Sequence, residues 1–171
     1  MRARGGAAHH PPMSVATLQT RPALGEIALV DEGETARLGA AIGRALRQGE
    51  AVCLSGPLGA GKSALARALV RALTQPDEEV PSPTFTLVQT YEGARLTVAH
   101  FDLYRLSGPD EAEELGLYEA LDVGAAVIEW PERLAGRLPN DRLQVRLEPD
   151  GAGRRAQLTP AGAWEGRTIE F

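Results

Sequence analysis

The chain has 171 residues, of which 43% are hydrophobic and 24% charged, and its formal net charge is −5 at pH 7. This length suits one domain with a buried core, and the composition excludes a disordered or fibrous chain. No apolar run approaches the roughly 20 residues that span a bilayer. The negative charge argues against direct nucleic-acid binding, which needs clustered Lys and Arg.

The first 24 residues contain three arginines, two histidines and no acidic residue, and we expect a flexible tail there. They lack the continuous apolar region of a signal peptide, so secretion is not expected. The single cysteine, Cys53, cannot form an internal disulfide, which fits a reducing compartment. We therefore expect a cytoplasmic protein with one domain over residues 25–171, in which Cys53 is a small buried hydrophobe.

The first half of this domain has the pattern of two strand–helix units. Residues 26–30 predict a short strand, and apolar residues at helical spacing predict a helix over residues 34–48, ended by Gly49. A second apolar run, residues 51–55, is followed at once by glycines. Apolar residues share one helical face again from Ser63 onward, so the second unit is strand, loop, helix.

The second half alternates strand patterns with one helix pattern. Ser107-Gly108-Pro109-Asp110 predicts a helix start, with proline in the first turn and acids where the helix dipole favours them, and we expect that helix to reach Glu119. Strands are predicted over residues 84–91, 95–101, 125–128, 143–147 and 156–158. The first two and the last two are expected to form hairpins. The predicted fold is α/β, a phosphate-loop three-layer arrangement whose mostly parallel sheet carries antiparallel hairpins at its edge.

The segment Gly56-Pro57-Leu58-Gly59-Ala60-Gly61-Lys62-Ser63 fits the phosphate-loop pattern of Gly, four residues, Gly, Lys, and Ser or Thr. Glycines let successive backbone N–H groups point at phosphate oxygens, and the following helix adds its positive end. Lys62 then contacts the β- and γ-phosphates, and the Ser63 hydroxyl coordinates Mg²⁺. Lys62 is also the only lysine among 18 basic residues, which favours a need for a compact ammonium there.

A phosphate loop needs an acidic group near its metal, and two residues are candidates. Glu129 ends the apolar strand 125–128, and Asp102 follows the strand 95–101. Side chains at the carboxyl ends of parallel strands face the nucleotide crevice. Either carboxylate could hold magnesium while the other orients the attacking water, and the residues alone leave these roles open. His100 could carry a proton, but a strand histidine with one hydrogen bond is the favoured interpretation.

GTP-binding switches recognise guanine through an Asn-Lys-x-Asp element, which this chain lacks, so adenine is favoured. Four motifs then occur in order: the phosphate loop, Ser-Pro-Thr-Phe-Thr-Leu-Val at 82–88, His-Phe-Asp-Leu-Tyr-Arg-Leu at 100–106, and Glu-Trp-Pro at 129–131. Together they resemble the TsaE family, formerly called YjeE, with a looser likeness over residues 26–155. One departure is Ser63 in place of the commoner Thr, and either hydroxyl can bind magnesium.

The resemblance implies a bacterial ATPase needed to make threonylcarbamoyladenosine at position 37 of tRNA. It implies ATP and Mg²⁺ as cofactors and the TsaD–TsaB complex as partner, with tRNA contacted only through that complex. Ser63 and Glu129 would be the magnesium ligands, and Asp102 the acid required for hydrolysis. The resemblance also makes Gly59 to Lys62 the phosphate cradle, with Pro57 and Leu58 beside it as nucleotide-binding residues. The other residues it assigns are Thr84 near the γ-phosphate, Trp130 beside the nucleotide, Glu32 and Thr35 near adenine, and Arg154 reaching the nucleotide.

Two other functions use the same loop. A small-molecule kinase would transfer the phosphate to a metabolite and would need an acceptor pocket. A nucleotide-dependent binding module would bind ATP and scarcely hydrolyse it.

Overall fold

Residues 25–171 are described by the computed structural model, and the tail expected over residues 1–24 lies outside them. The strands are β1 (Glu26–Leu29), β2 (Ala51–Ser55), β3 (Val88–Glu92), β4 (Thr97–Asp102), β5 (Ala125–Glu129), β6 (Arg142–Asp150) and β7 (Gly153–Ala161). The helices are α1 (Glu32–Ala45), α2 (Lys62–Leu73), α3 (Pro109–Glu114) and α4 (Leu117–Val123), with 3-10 turns at Pro131–Leu134 and Gly162–Trp164.

The seven strands form one mixed sheet in the order β1-β7-β6-β2-β5-β4-β3. Strands β6, β2, β5 and β4 pair in parallel at the centre. Antiparallel pairing adds β7 and then β1 on one side, and β3 on the other. The predicted parallel sheet with antiparallel hairpins is therefore confirmed. One strand of the terminal hairpin, β6, lies directly beside the strand that precedes the phosphate loop.

Alternation along the central strands builds a core on each face of the sheet. Val52 and Leu54 belong to the core under α1 and α2, whereas Ala51 and Cys53 belong to the core under α3, α4 and the turn Pro131–Leu134. Helices thus cover both faces, as the three-layer prediction requires. Cys53 is 1% exposed, and burial raises the pKa of its thiol to about 12. It is the buried hydrophobe that the sequence predicts.

Helices α1 and α2 approach each other more closely than side chains would allow. A Cβ atom at Gly39 would lie 2.5 Å from the carbonyl oxygen of Leu65, and one at Gly43 would lie 2.7 Å from that of Leu69. Both glycines are buried. The two helices therefore approach backbone to backbone at these positions, and only glycine fits at either one.

Several predicted boundaries were wrong. Helix α1 begins at Glu32, two residues early, because the Asp31 side chain caps it by accepting a hydrogen bond from the Glu34 N–H at 2.9 Å. It ends at Ala45, before the predicted end at Gln48, because Leu46 has an extended backbone. The helix expected to run to Glu119 is split, since the chain adopts a φ of +86° at Gly116 between α3 and α4.

Another wrong boundary is that of the strand predicted over residues 84–91, which begins only at Val88. The Leu87 N–H donates to the Pro83 carbonyl at 2.7 Å, so residues 83–87 close a turn. The φ of Leu87 is +67°, which ends the extended backbone there. The turn leaves Phe85 81% exposed and places Thr84 toward the sheet.

Candidate functional site

A cavity of about 400 Å³ opens at the carboxyl ends of β2, β5 and β4. Parallel α/β sheets bind ligands at this edge. Ten of the residues singled out from the sequence line the cavity: Leu58, Gly59, Gly61, Lys62, Ser63, Thr84, Asp102, Glu129, Trp130 and Arg154. Five separate segments of the chain thus converge on one space.

The phosphate loop forms one wall and runs from the end of β2 into the first turn of α2. Its backbone has positive φ at three glycines, +133° at Gly56, +79° at Gly59 and +102° at Gly61. A Cβ at Gly61 would lie 2.6 Å from Nη1 of Arg154, so a side chain there would displace that guanidinium. The first N–H groups of α2 have no partner within the helix, and with the helix dipole they favour an anion at this wall.

Lys62 supplies a cation to the cavity wall and is only 5% exposed. Its Nζ donates to the Gly56 carbonyl at 2.6 Å and lies 3.5 Å from the centroid of the Trp130 ring. Burial lowers the pKa of Lys62, and the carboxylates of Glu129, Glu132 and Asp102 oppose that shift. The ammonium is therefore held at the loop by a carbonyl, an aromatic face and nearby negative charge.

Strand periodicity brings the two candidate carboxylates together on the α2 side of the sheet. The side chains of Ala125 and Val127 on β5, and of Val98 on β4, face the core under α2. Because side chains alternate between the two faces of a strand, Glu129 and Asp102 lie on that same face. Asp102 and Glu129 are register partners on neighbouring strands β4 and β5. Both strand ends therefore meet at the phosphate loop, where the sequence predicts them.

Glu129 is 2% exposed and uses both carboxylate oxygens. Oε1 accepts a hydrogen bond from the Ser63 hydroxyl at 3.2 Å, and Oε2 lies 2.7 Å from Nε2 of His100. Asp102, 6% exposed, is held differently, because its Oδ1 accepts from the Tyr104 N–H at 3.0 Å. Its Oδ2 accepts from the Thr84 hydroxyl at 3.3 Å.

The aromatic wall is shaped by an unusual backbone conformation. Trp130 has a φ of +60°, which is uncommon for a residue with a side chain. This turn directly after Glu129 places the indole against Lys62, with Tyr104 on another side at 4.9 Å between ring centroids. Trp130 therefore closes the cavity instead of extending the strand.

Four other residues assigned from the resemblance do not line this cavity. Glu32 is exposed and borders a separate groove between α1 and α2. Thr35 is fully buried and reaches the site only through its hydroxyl, which accepts from Nη1 of Arg154 at 3.2 Å. Pro57 lines a neighbouring hollow, and the Ala60 side chain lies in the core. Any contact of Ala60 with a ligand would therefore come from its backbone.

Sequence reasoning did not single out Ser82, Ala64 and Tyr104, which also line the cavity. Ser82 and Tyr104 stand inside the motifs that carry the resemblance, two residues before Thr84 and two after Asp102. That spacing was the available signal, because each hydrogen-bonds the motif residue beside it.

The donor set suits a hard cation that is only partly coordinated by protein. Ser63 and Glu129 offer oxygen atoms, and within residues 25–171 no group of three or more His, Cys, Asp or Glu side chains is arranged to hold a metal. Mg²⁺ commonly takes one or two protein oxygens and completes its shell with phosphates and water. The residues present fit that ion.

Within residues 25–171, no helix is long and apolar enough to span a membrane.

Comparison with known proteins agrees with this architecture. The family model described as threonylcarbamoyl adenosine biosynthesis protein TsaE matches residues 29–157. A Rickettsia felis protein named tRNA threonylcarbamoyladenosine biosynthesis protein TsaE is 35% identical over 84% of this chain and 84% of its own length. A Treponema pallidum protein of the same name is 41% identical, over 71% of this chain and 90% of its own.

The crystal structure of Bacillus subtilis YdiB superposes with a TM-score of 0.66 at 26% identity, covering 80% of this chain and 85% of that one. The likeness therefore holds in sequence and in three dimensions, and the family model spans every residue that lines the cavity. The chain belongs to the TsaE family.

Proposed function

We propose that the chain is a magnesium-dependent ATPase that serves the formation of threonylcarbamoyladenosine in tRNA. Its curated relatives carry the name of that biosynthesis. The observation that supports nucleotide chemistry most directly is the contact between Ser63 at the end of the phosphate loop and Glu129 at the end of β5. These residue types at that place are the ones that hold Mg²⁺ in phosphate-loop NTPases.

Each side chain has a role in this proposal that follows from its position. When bound, ATP with Mg²⁺ supplies the transferable γ-phosphoryl group. The loop N–H groups and Lys62 bind the phosphates, while Ser63 and Glu129 hold the metal. The Asp102 carboxylate orients the attacking water and accepts its proton. Thr84 holds Asp102 in place, and Trp130 and Tyr104 restrict access of bulk water.

The proposed partner is the TsaD–TsaB complex in the cytoplasm, and tRNA would be met only through it. The net charge of −5 supports an indirect contact, because binding phosphates of RNA by charge needs clustered cations. ATP hydrolysis would then act on the state of the partner complex and would not itself modify the base.

The test measures phosphate release from ATP by the purified chain, alone and with TsaD and TsaB added. Slow release that rises with the partners is the expected result. We expect Lys62→Ala to abolish the release and to weaken ATP binding roughly 10- to 100-fold, since a hydrogen bond to a charged group contributes about 1.5–3 kcal/mol. Arg67→Ala is the matched control, because it removes a cation from α2 outside the cavity.

Each other outcome has a distinct meaning. Unchanged ATP affinity in Lys62→Ala would contradict the site. Binding without release under any condition would indicate a binding module, and transfer of the phosphate to an added metabolite would indicate a kinase.

A further inference from the structure

His100 is a buried polar residue to which the proposed function assigns no role. It is 1% exposed on β4, and its Nε2 lies 2.7 Å from Oε2 of Glu129. Its Nδ1 is buried and has no hydrogen-bond partner within residues 25–171. A side chain in this position makes its one polar contact with a candidate metal ligand.

The sheet explains why these two groups meet. His100 pairs in register with Val127 on the neighbouring parallel strand, and Glu129 lies two residues further along on the same face. The imidazole therefore reaches diagonally across to the carboxylate, a distance that long side chains cover. Because an ionised carboxylate only accepts hydrogen bonds, Nε2 carries the hydrogen and donates it.

This contact defines the orientation of the Glu129 carboxylate. With Oε2 held by His100, the second oxygen, Oε1, is turned to the Ser63 hydroxyl at 3.2 Å. A glutamate without such a partner has several rotamers available at its last two torsions. The two bonds together leave one arrangement, in which Oε1 and the hydroxyl point at the same side of the cavity.

We propose that His100 is a positioning residue that orients Glu129 so that Oε1 is presented to Mg²⁺ beside Ser63. This inference rests on the proposed function. His100 does not line the cavity, so it touches neither the nucleotide nor the ion and acts through Glu129 alone. Partners behind metal-binding groups commonly change metal affinity 10- to 100-fold when they are replaced.

A role as a proton carrier is not supported by the same geometry. The buried Nδ1 has no acceptor or donor beside it within the described part of the chain, so His100 does not continue a hydrogen-bonded path from Glu129. Asp102 is held by Thr84 and Tyr104 instead. The favoured sequence interpretation, a strand histidine with one hydrogen bond, is confirmed, and that bond is the functional contact.

Three substitutions separate orientation from packing. In His100→Gln, the amide Nε2 reaches about as far as the imidazole Nε2 and can donate to Glu129. In His100→Asn, the shorter amide reaches only the place of Nδ1. His100→Leu keeps the volume and removes the donor. Asn and Gln both bury an amide, so they differ mainly in whether the hydrogen bond can form.

The experiment titrates a fluorescent ATP analogue in EDTA and then with increasing Mg²⁺, on the full chain. We expect the analogue to bind all variants with similar affinity in EDTA. The Mg²⁺ concentration at half-saturation should rise about 10- to 100-fold in His100→Asn and His100→Leu, and stay within about threefold of wild type in His100→Gln. The thermal unfolding curve of each variant checks that it is folded under the conditions of the titration.

Two results would overturn the assignment. One is an unshifted Mg²⁺ response in both Asn and Leu variants, and the other is an equal loss in all three, which would indicate packing alone. Wild-type protein that fails to bind the nucleotide would overturn the proposed function and this inference with it. Normal wild-type binding with unshifted variants would overturn the inference only.

Discussion

Two carboxylates occupy equivalent places on neighbouring parallel strands, yet they are held by different parts of the molecule. Glu129 is fixed by His100 from β4 and by Ser63 from α2, both regular elements packed in the core. Asp102 is fixed by the hydroxyls of Thr84, in the turn over residues 83–87, and of Ser82 just before that turn, and by the backbone of Tyr104. Register alone would make the two residues interchangeable.

This difference in supporting partners favours one assignment of the two roles, magnesium ligand and water-orienting base, that the sequence left open. A metal ligand has to stay in one place, and the partners of Glu129 are strand and helix residues. The partner of Asp102 lies beside the exposed Phe85, on a surface that another protein can reach. We therefore expect Glu129 to set the response to magnesium and Asp102 to set the rate of hydrolysis.

Asp102→Asn gives the largest expected effect. The amide keeps the shape and removes the proton acceptor, so phosphate release should fall about 10²–10⁴-fold while the Mg²⁺ dependence of ATP binding is kept. Steady-state phosphate release and the Mg²⁺ titration measure the two quantities. Asp122→Asn, an exposed aspartate on α4, is the control. Loss of the magnesium response in Asp102→Asn would reverse the two roles.

Glu129→Gln should have the next largest effect, and it should also change the magnesium response. Metal-ion catalysis contributes several kcal/mol, so removing a ligand should slow release at least about 100-fold at a Mg²⁺ concentration that saturates wild type. Excess Mg²⁺ should restore part of the rate. Glu132→Gln controls for a lost negative charge near Lys62, because Glu132 is exposed outside the cavity. A normal magnesium titration in Glu129→Gln would favour Asp102 as ligand.

Thr84→Val is the smallest of the three changes, since it removes only the hydroxyl that holds Asp102 at 3.3 Å. A hydrogen bond to a charged group contributes about 1.5–3 kcal/mol, so release should fall roughly 10- to 100-fold with no change in the magnesium titration. Thr86→Val is the matched control in the same turn, because Thr86 is exposed. Equal rates in Thr84→Val and wild type would show that Asp102 does not need the Thr84 hydroxyl.

Much of the central fold follows from local pattern. The strand β2, the phosphate loop and α2 are contiguous, so apolar period and glycine spacing predict all three. Gly116 breaks the third predicted helix and Leu87 delays a strand, because single residues with positive φ override the propensity of their neighbours. The place of β6 beside β2 joins residues about ninety positions apart, and no local pattern specifies that pairing.

The candidate site likewise contains some residues that the sequence predicts and others that it does not. Lys62 and Ser63 follow from the loop motif, and the meeting of Asp102 with Glu129 follows once the strands are parallel and in register. The side chain of Glu32, expected near adenine, is directed to the groove between α1 and α2 instead. Sequence spacing indicates which residues reach one edge of a sheet, whereas the direction of each side chain depends on tertiary packing.

The close contact of α1 with α2 bears on how variant libraries of this protein should be interpreted. Any side chain at position 39 or 43 would run into the carbonyl oxygen of a residue on α2. Both positions should tolerate replacement as poorly as the phosphate loop does, although neither lines the cavity. Intolerance alone would mark these glycines as functional residues. Only a nucleotide-binding measurement on the folded fraction distinguishes a position that ATP needs from a position that the fold needs.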